Sequence, residues 1–115
     1  MADNEKKVSV QVHGAGTLWR QGDVYVQRVE KIPAGAKPKK GATLAEGEAT
    51  GHAHKAADPS DIRLFEKGGV LYLEVLSEEA EIVHEEHKTI RLPKGEYRAW
   101  QQREYTPTRI RTVRD

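Results

Sequence analysis

The feature that most constrains the fold of this chain is an alternation of apolar and polar residues, which has the period of a β-strand. Residues 8–12 alternate valine with serine and glutamine, and a second run follows the turn-forming Gln21-Gly22-Asp23 and continues to residue 29. Apolar runs at 62–64 and 70–75 flank Lys67-Gly68-Gly69. Because glycine adopts the positive φ of tight hairpins, this segment predicts two strands joined by a short turn.

The rest of the chain continues this pattern. Strands are expected at 43–50, at 97–105 and as a pair at 82–84 and 88–92, with loops at 32–41 and 55–61 and a turn at 93–95. Only residues 77–81 resemble a helical turn. About seven or eight short strands separated by turns are typical of a small barrel or sandwich. The sequence therefore predicts a single all-β domain over residues 1–115, with flexible tails at 1–7 and 110–115.

Composition excludes several classes of function. The chain has 115 residues with 19 Lys+Arg against 18 Asp+Glu, so it lacks the basic excess that nucleic-acid binding through phosphates needs. The arginine-rich run at 109–114 is typical of a solvated terminal segment. There is no cysteine, so any metal must be bound by His, Asp or Glu. No apolar run resembles a signal peptide or a membrane span, which predicts a cytoplasmic protein and no membrane partner.

Four of the five histidines fall in two clusters, His52-Ala53-His54 and His84-Glu85-Glu86-His87. On a strand, His52 and His54 share a face because they are two residues apart. His84 and His87 share a face only if Glu85-Glu86 is a two-residue hairpin loop or if the strand is bulged. Imidazole suits zinc, iron, copper and nickel.

We therefore predict a divalent transition-metal site, for zinc, iron, nickel or manganese, with the ligands His52, His54, His84 and His87. Nearby carboxylates could ligate the ion or fix an imidazole tautomer; they are Glu46, Glu48, Glu85 and Glu86. Two alternatives remain open. The histidines could form a metal-free site for general acid–base chemistry, or they could be four independent surface residues.

A second polar group lies near the C-terminus. On one strand Arg103 and Tyr105 share a face, and Arg98 and Gln102 share the other. An arginine at a barrel mouth would suit an anionic ligand, so these four residues are predicted ligand-binding residues. The alternative is an exposed edge strand whose charges discourage aggregation.

The order of motifs resembles the cupin superfamily between Gly47 and Tyr105. His52-Ala53-His54 follows Gly47 as in the first cupin motif, and Pro93-Lys94-Gly95 begins a segment like the second, with Gln102 at the offset of its asparagine. The resemblance implies a barrel with His52 and His54 as metal ligands. Arg98 stands where the second motif has its histidine, so His84 or His87 would supply the missing imidazole.

The sequence thus favours a small cytosolic, cupin-like metal protein that acts on or senses a small polar molecule, whether as an enzyme or as a sensor. The alternative is a non-enzymatic β-barrel that acts by assembly or partner binding, for example as a homo-oligomer, with incidental histidines. Nuclease or RNA-binding activity has the least support because the charge is balanced.

Overall fold

The computed structural model describes residues 14–46 and 51–102. The strands in this part of the chain are β1 (Leu18–Gln21), β2 (Val24–Val29), β3 (Lys37–Lys39), β4 (Thr43–Glu46), β5 (Ala53–Ala56), β6 (Ile62–Lys67), β7 (Val70–Val83) and β8 (Ile90–Gln101). A 3₁₀ turn at Pro59–Asp61 precedes β6. The strand predicted at 8–12, both predicted tails and the ends of the strands predicted at 43–50 and 97–105 lie outside the described residues.

All eight strands belong to one antiparallel sheet. Its main order is β1-β2-β8-β7-β5-β4, and β6 pairs with both β7 and β3. The long β7 pairs with β8 along one edge, while its other edge pairs first with β6 and then, near its end, with β5. The sheet thus bends around a shared core without closing into a barrel. The predicted all-β barrel or sandwich class is confirmed at this level.

Both long strands contain an irregularity that reverses which residues face the core. In β7 the buried positions Leu73 and Val75 give way to Ala80 and Ile82, so the alternation changes phase between them. The register shifts at the same place, where residues 76–78 stand opposite Lys94. A bulge of this kind bends a strand and increases its twist.

The bulge explains two wrong predictions. Residues 77–81 belong to β7 and form no helical turn, and residues 93–95 belong to β8 and form no chain-reversing turn. Pro93 is tolerated within the strand because bulges do not require its missing N–H, and its carbonyl accepts a hydrogen bond from the Tyr97 hydroxyl.

Among the remaining elements, the sequence predicted β2, β6 and the start of β7 but not β1. Gly68 and Gly69 have φ of 59° and 81°, so the predicted hairpin between β6 and β7 is confirmed. The loop predicted at 32–41 contains the short β3, and the loop predicted at 55–61 begins inside β5. The core is made of side chains that are at most 5% exposed: Val24, Val26, Ala56, Ile62, Leu64, Leu73, Val75, Ala80, Ile82, Leu92, Tyr97 and Ala99. Within residues 14–46 and 51–102, no helix has the length and apolarity needed to cross a membrane.

Candidate metal centre

The two histidine clusters of the sequence meet at one end of the sheet. The ring of His84 lies at the middle of the group, with centroid distances of 4.2 Å to His54, 4.6 Å to His87 and 5.7 Å to His52. The His54 and His87 rings are nearly parallel at 5.9 Å. The structure therefore brings together all four predicted metal ligands. They cannot be four separate surface residues.

Two segments position these rings. His54 lies on β5 and points into the core with Ala56, and His52 directly precedes the strand. His84 and His87 both lie in residues 84–89, which connect β7 to β8. Of the two arrangements that would let His84 and His87 share a face, the two-residue hairpin at Glu85-Glu86 is not the one that forms. Such tight turns need positive φ, and no non-glycine residue in the described chain adopts it.

His54 is the most tightly fixed of the four histidines. It is 2% exposed, and its Nδ1 lies 2.9 Å from Oε1 of the equally buried Gln21. The amide nitrogen of Gln21 donates to two carbonyls, those of Ile82 and Lys88, at 2.8 Å each. Because that nitrogen must be the donor, Oε1 must be an acceptor, so Nδ1 of His54 carries the proton. The lone pair of His54 is therefore on Nε2, free for a metal.

Asp23 lies on the other side of the His54 ring. Its Oδ1 is 3.8 Å from His54 Nε2, and its Oδ2 accepts a hydrogen bond of 3.0 Å from Gln101 Nε2. Asp23 belongs to the tight turn between β1 and β2, where Gln21 pairs directly with Val24. The two-residue turn thus places Gln21 and Asp23 on opposite sides of one imidazole.

His84 has the opposite tautomer. Its Nδ1 accepts a hydrogen bond of 2.9 Å from the backbone N–H of Glu86, so the proton of the neutral ring is on Nε2. A metal bonded to Nδ1 would displace this N–H, and a metal bonded to Nε2 would move the proton to Nδ1. Ligation by His84 therefore breaks this hydrogen bond in either case.

A carboxylate completes the outer side of the cluster. One ligand atom each from His52, His84 and Glu85 lie within 4.8 Å of one another. Oε1 of Glu85 accepts a hydrogen bond of 3.1 Å from the backbone N–H of Ala53, which ties the loop to β5. Oε2 of Glu86 lies 3.7 Å from Nδ1 of His52 and adds a second negative charge.

His87 is exposed and packs on the turn that carries Asp23. A Cβ added to Gly22 would lie 2.6 Å from His87 Nε2, so a side chain there would displace the exposed imidazole. Gly22 also has φ of +61°, a conformation that suits glycine at the first position of a type II′ hairpin. Glycine at this position therefore serves the turn and lets the imidazole approach the backbone.

The electrostatics of the cluster favour neutral imidazole at His54. Burial lowers the pKa of His54 below its usual value of 6.5, and the neighbouring His84 lowers it further. The Asp23 carboxylate acts in the opposite direction. The pKa of the exposed Glu85 carboxyl is lowered, first by its own backbone N–H and then by that of Ala53. A neutral imidazole and an ionised carboxylate are the forms that bind metal.

The predicted ligand-binding group lies partly elsewhere. Arg98 is exposed on the outer face of the sheet, where its guanidinium covers the ring of Trp100 at 5.0 Å and its Nε donates to Gln27. Gln102 lies near the cluster because its backbone N–H donates to the Asp23 carbonyl at 2.8 Å. Neither residue hydrogen-bonds to the four histidines. Arg103, Tyr105 and Glu48 lie outside the described residues, and Glu46 ends β4.

Sequence reasoning missed three residues of the centre: Gln21, Asp23 and Gln101. Gln21-Gly22-Asp23 is a recognisable turn, but nothing in its spacing links it to histidines 30 or more positions away. The sequence predicted no strand before this turn, so nothing in it indicated that Gln21 is buried on β1.

No curated protein and no solved structure is significantly similar to the chain. A family profile matches residues 20–102, a span that includes the four clustered histidines as well as Gln21 and Asp23. Because this span is most of the chain, the protein belongs to the family described as a domain of unknown function, DUF8820.

Proposed function

We propose that this protein binds a first-row divalent transition-metal ion at the histidine cluster. The observation that carries the proposal is that His52, His84 and Glu85 present ligand atoms within 4.8 Å of one another while two further imidazoles lie against His84. Four imidazoles at such distances repel one another when protonated, and a cation replaces that repulsion with attraction.

The chemistry of the ligand atoms restricts which metal ions are suitable. With imidazole nitrogens and carboxylate oxygens and no thiolate in the sequence, the set suits zinc, nickel, iron or manganese. Two histidines and one carboxylate are also the protein ligands of many catalytic metal sites, which leave further positions to water or substrate. The carboxylates of Glu85 and Glu86 offset the charge of the ion.

The exposure of the cluster supports access by a small molecule. Glu85, Glu86 and His87 are exposed, whereas His54 is buried. A ligand can therefore reach the outer side of a bound ion without entering the core. This supports a metal-dependent enzyme or sensor for a small polar molecule. The resemblance to cupins stays a prediction, and the proposed metal site does not depend on it.

The test is metal binding by tag-free protein that has been stripped with a chelator. Titration with zinc, nickel, iron or manganese should give at least about one equivalent per chain, and the ion should raise the melting temperature because it binds only the folded state. Removal of one ligand should weaken binding at least about tenfold, since even partners of ligands change affinity about 10–100-fold. Suitable variants are His84→Gln and Glu85→Gln.

Glu79→Gln is the matched control. It makes the same change at an exposed position of β7, next to Arg91 and outside the cluster, so its affinity should equal that of the wild type. Absence of bound metal and of any thermal shift would instead favour the non-enzymatic assembly or partner-binding protein. In that case size-exclusion chromatography with light scattering would be the next measurement.

A further inference from the structure

The buried imidazole of His54 and the half-exposed carboxylate of Asp23 face each other across a gap that no hydrogen atom fills. His54 Nε2 and Asp23 Oδ1 are 3.8 Å apart, which is too long for a hydrogen bond. The imidazole proton is on the opposite nitrogen, bound to Gln21. An ionised carboxylate has no proton to offer. His54 Nε2 is a buried acceptor without a hydrogen-bond donor, which is costly, and a cation held between it and the Asp23 carboxylate would satisfy it.

Each of the two donors is oriented by an amide on its far side. Gln21 accepts from His54 Nδ1, and Gln101 donates to the second oxygen of Asp23 at 3.0 Å. Metal-bound histidines nearly always donate their other N–H to such a partner, and ligating carboxylates are themselves hydrogen-bonded. Both features are present around this gap.

The gap has the width of a metal site. Bonds of about 2.0–2.2 Å from nitrogen and oxygen place an ion between atoms 3.8 Å apart with an N–metal–O angle of about 130°. An approach of a few tenths of an ångström brings the angle close to tetrahedral. His87 Nε2 lies against Gly22, the residue before Asp23, and is therefore placed to supply a third donor after a small movement of its exposed loop.

This gap is distinct from the position at His52, His84 and Glu85. Two ligands of one ion lie at most about 4.4 Å apart when each bond is about 2.2 Å. His54 and Asp23 do not join the group whose atoms lie within 4.8 Å of one another. One ion therefore cannot contact both sets without rearrangement.

We propose that the cluster contains two positions for first-row divalent ions: an outer position at His52, His84 and Glu85, and an inner position between His54 and Asp23 that His87 completes. The proposal rests on the cluster being a metal centre, as proposed above. Each position then has two histidines and one carboxylate, and Glu86 supplies a third negative charge beside the pair of ions.

The test is the number of zinc ions bound by tag-free, chelator-stripped protein at pH 7.5, from equilibrium dialysis and elemental analysis. The wild type should bind about two equivalents. Asp23→Asn should bind about one, because the new amide can donate to His54 Nε2 and replace the inner ion with a hydrogen bond. Asp61→Asn, the same change in the 3₁₀ turn before β6, should retain both. Glu85→Gln should lose the outer ion and keep the inner one.

The outcomes are distinguishable. One equivalent in the wild type with unchanged affinity in Asp23→Asn would overturn the inner position and leave the proposed metal binding intact. About one equivalent in the wild type and none in Asp23→Asn would show a single ion that uses Asp23, which also overturns a two-ion centre. Binding of no zinc by any of the proteins would refute the proposed function itself. Urea unfolding of Asp23→Asn identifies any loss that comes from misfolding.

Discussion

Gln21→Met is the substitution that most directly tests how the centre is built. Methionine has nearly the length and flexibility of glutamine, so the site stays filled. It removes three hydrogen bonds: those to the Ile82 and Lys88 carbonyls and that from His54 Nδ1. It therefore changes the polar network and leaves the packing close to that of the wild type.

The expected loss of stability follows from which partners remain buried. The Lys88 residue is exposed, so water can replace its bond, whereas the Ile82 carbonyl and His54 Nδ1 are buried. Each buried polar group that is left without a hydrogen-bond partner lowers the free energy of unfolding by about 1–3 kcal/mol. With two such groups, the free energy of unfolding should fall by about 2–6 kcal/mol, a large share of the ~5–15 kcal/mol of an ordinary domain.

The measurement is urea unfolding at pH 7.5, followed by the fluorescence of Trp19, which packs edge-on against Tyr97. Gln27→Met is the matched control. Gln27 also makes hydrogen bonds, to the Gly16 carbonyl and from Arg98, but they lie on an exposed part of β2 where water can replace them. Gln27→Met should therefore lower the free energy of unfolding by less than about 1 kcal/mol.

The tautomer of His54 gives a second measurement that a purely structural role would not change. In the wild type, nitrogen NMR should place the proton on Nδ1. In Gln21→Met the proton should move to Nε2, where Asp23 can accept it after closing a gap of 3.8 Å. If Gln21→Met is as stable as the wild type and the His54 proton stays on Nδ1, the reasoning is refuted.

Two further predictions concern the cluster. Metal binding should shift the amide resonance of Glu86 and speed its hydrogen exchange, because ligation by His84 removes the acceptor of that N–H; an unchanged Glu86 amide in the metal-loaded protein would contradict ligation by His84. Burial lowers the pKa of His54 below 6.5. As the pH falls, His54 is therefore protonated in the unfolded chain before it is protonated in the folded chain. The free energy of unfolding of metal-free protein should therefore be highest above about pH 6.5 and fall below it, by at most about 1.4 kcal/mol per pH unit. Urea unfolding of His54→Gln should show a smaller slope between pH 5.5 and 7; an unchanged slope would mean that His54 titrates normally.

The sheet could be predicted because its signal is local. Alternation and paired glycines define β2, β6 and the start of β7 residue by residue, and each was placed from the sequence. The short strands β1 and β3 were missed, and the other errors lie where the alternation changes phase, at residues 76–78 of β7 and at Lys94 in β8. A bulge in one strand needs a partner across the sheet, so neither strand shows it alone, and the break in the pattern was interpreted as a turn.

The residues of the candidate site also differ in how far the sequence could predict their roles. The paired spacing of the histidines favoured a shared site, because residues two apart on a strand share a face, but it left four independent surface residues open. Gln21 and Asp23 could not be predicted, since their roles depend on the β1–β2 turn being brought beside β5, a contact between residues about 30 positions apart in the sequence. Such contacts are set by strand order, which periodicity does not encode.

The two halves of the centre differ in how much they must move to bind an ion. His54 already has its lone pair on the nitrogen that faces Asp23, and its ring is fixed by Gln21, so ligation there costs little reorganisation. His84 must lose the hydrogen bond that its Nδ1 accepts from the Glu86 N–H, and the loop that contains His84 is exposed at residues 85–89. Metal binding, if it occurs as proposed, would therefore couple to the conformation of residues 84–89 and not to the core. A loop whose conformation changes with metal occupancy suits a sensor, and a loop that leaves coordination positions open suits an enzyme. The amide resonance of Glu86, measured with metal alone and then with candidate small molecules, distinguishes the two.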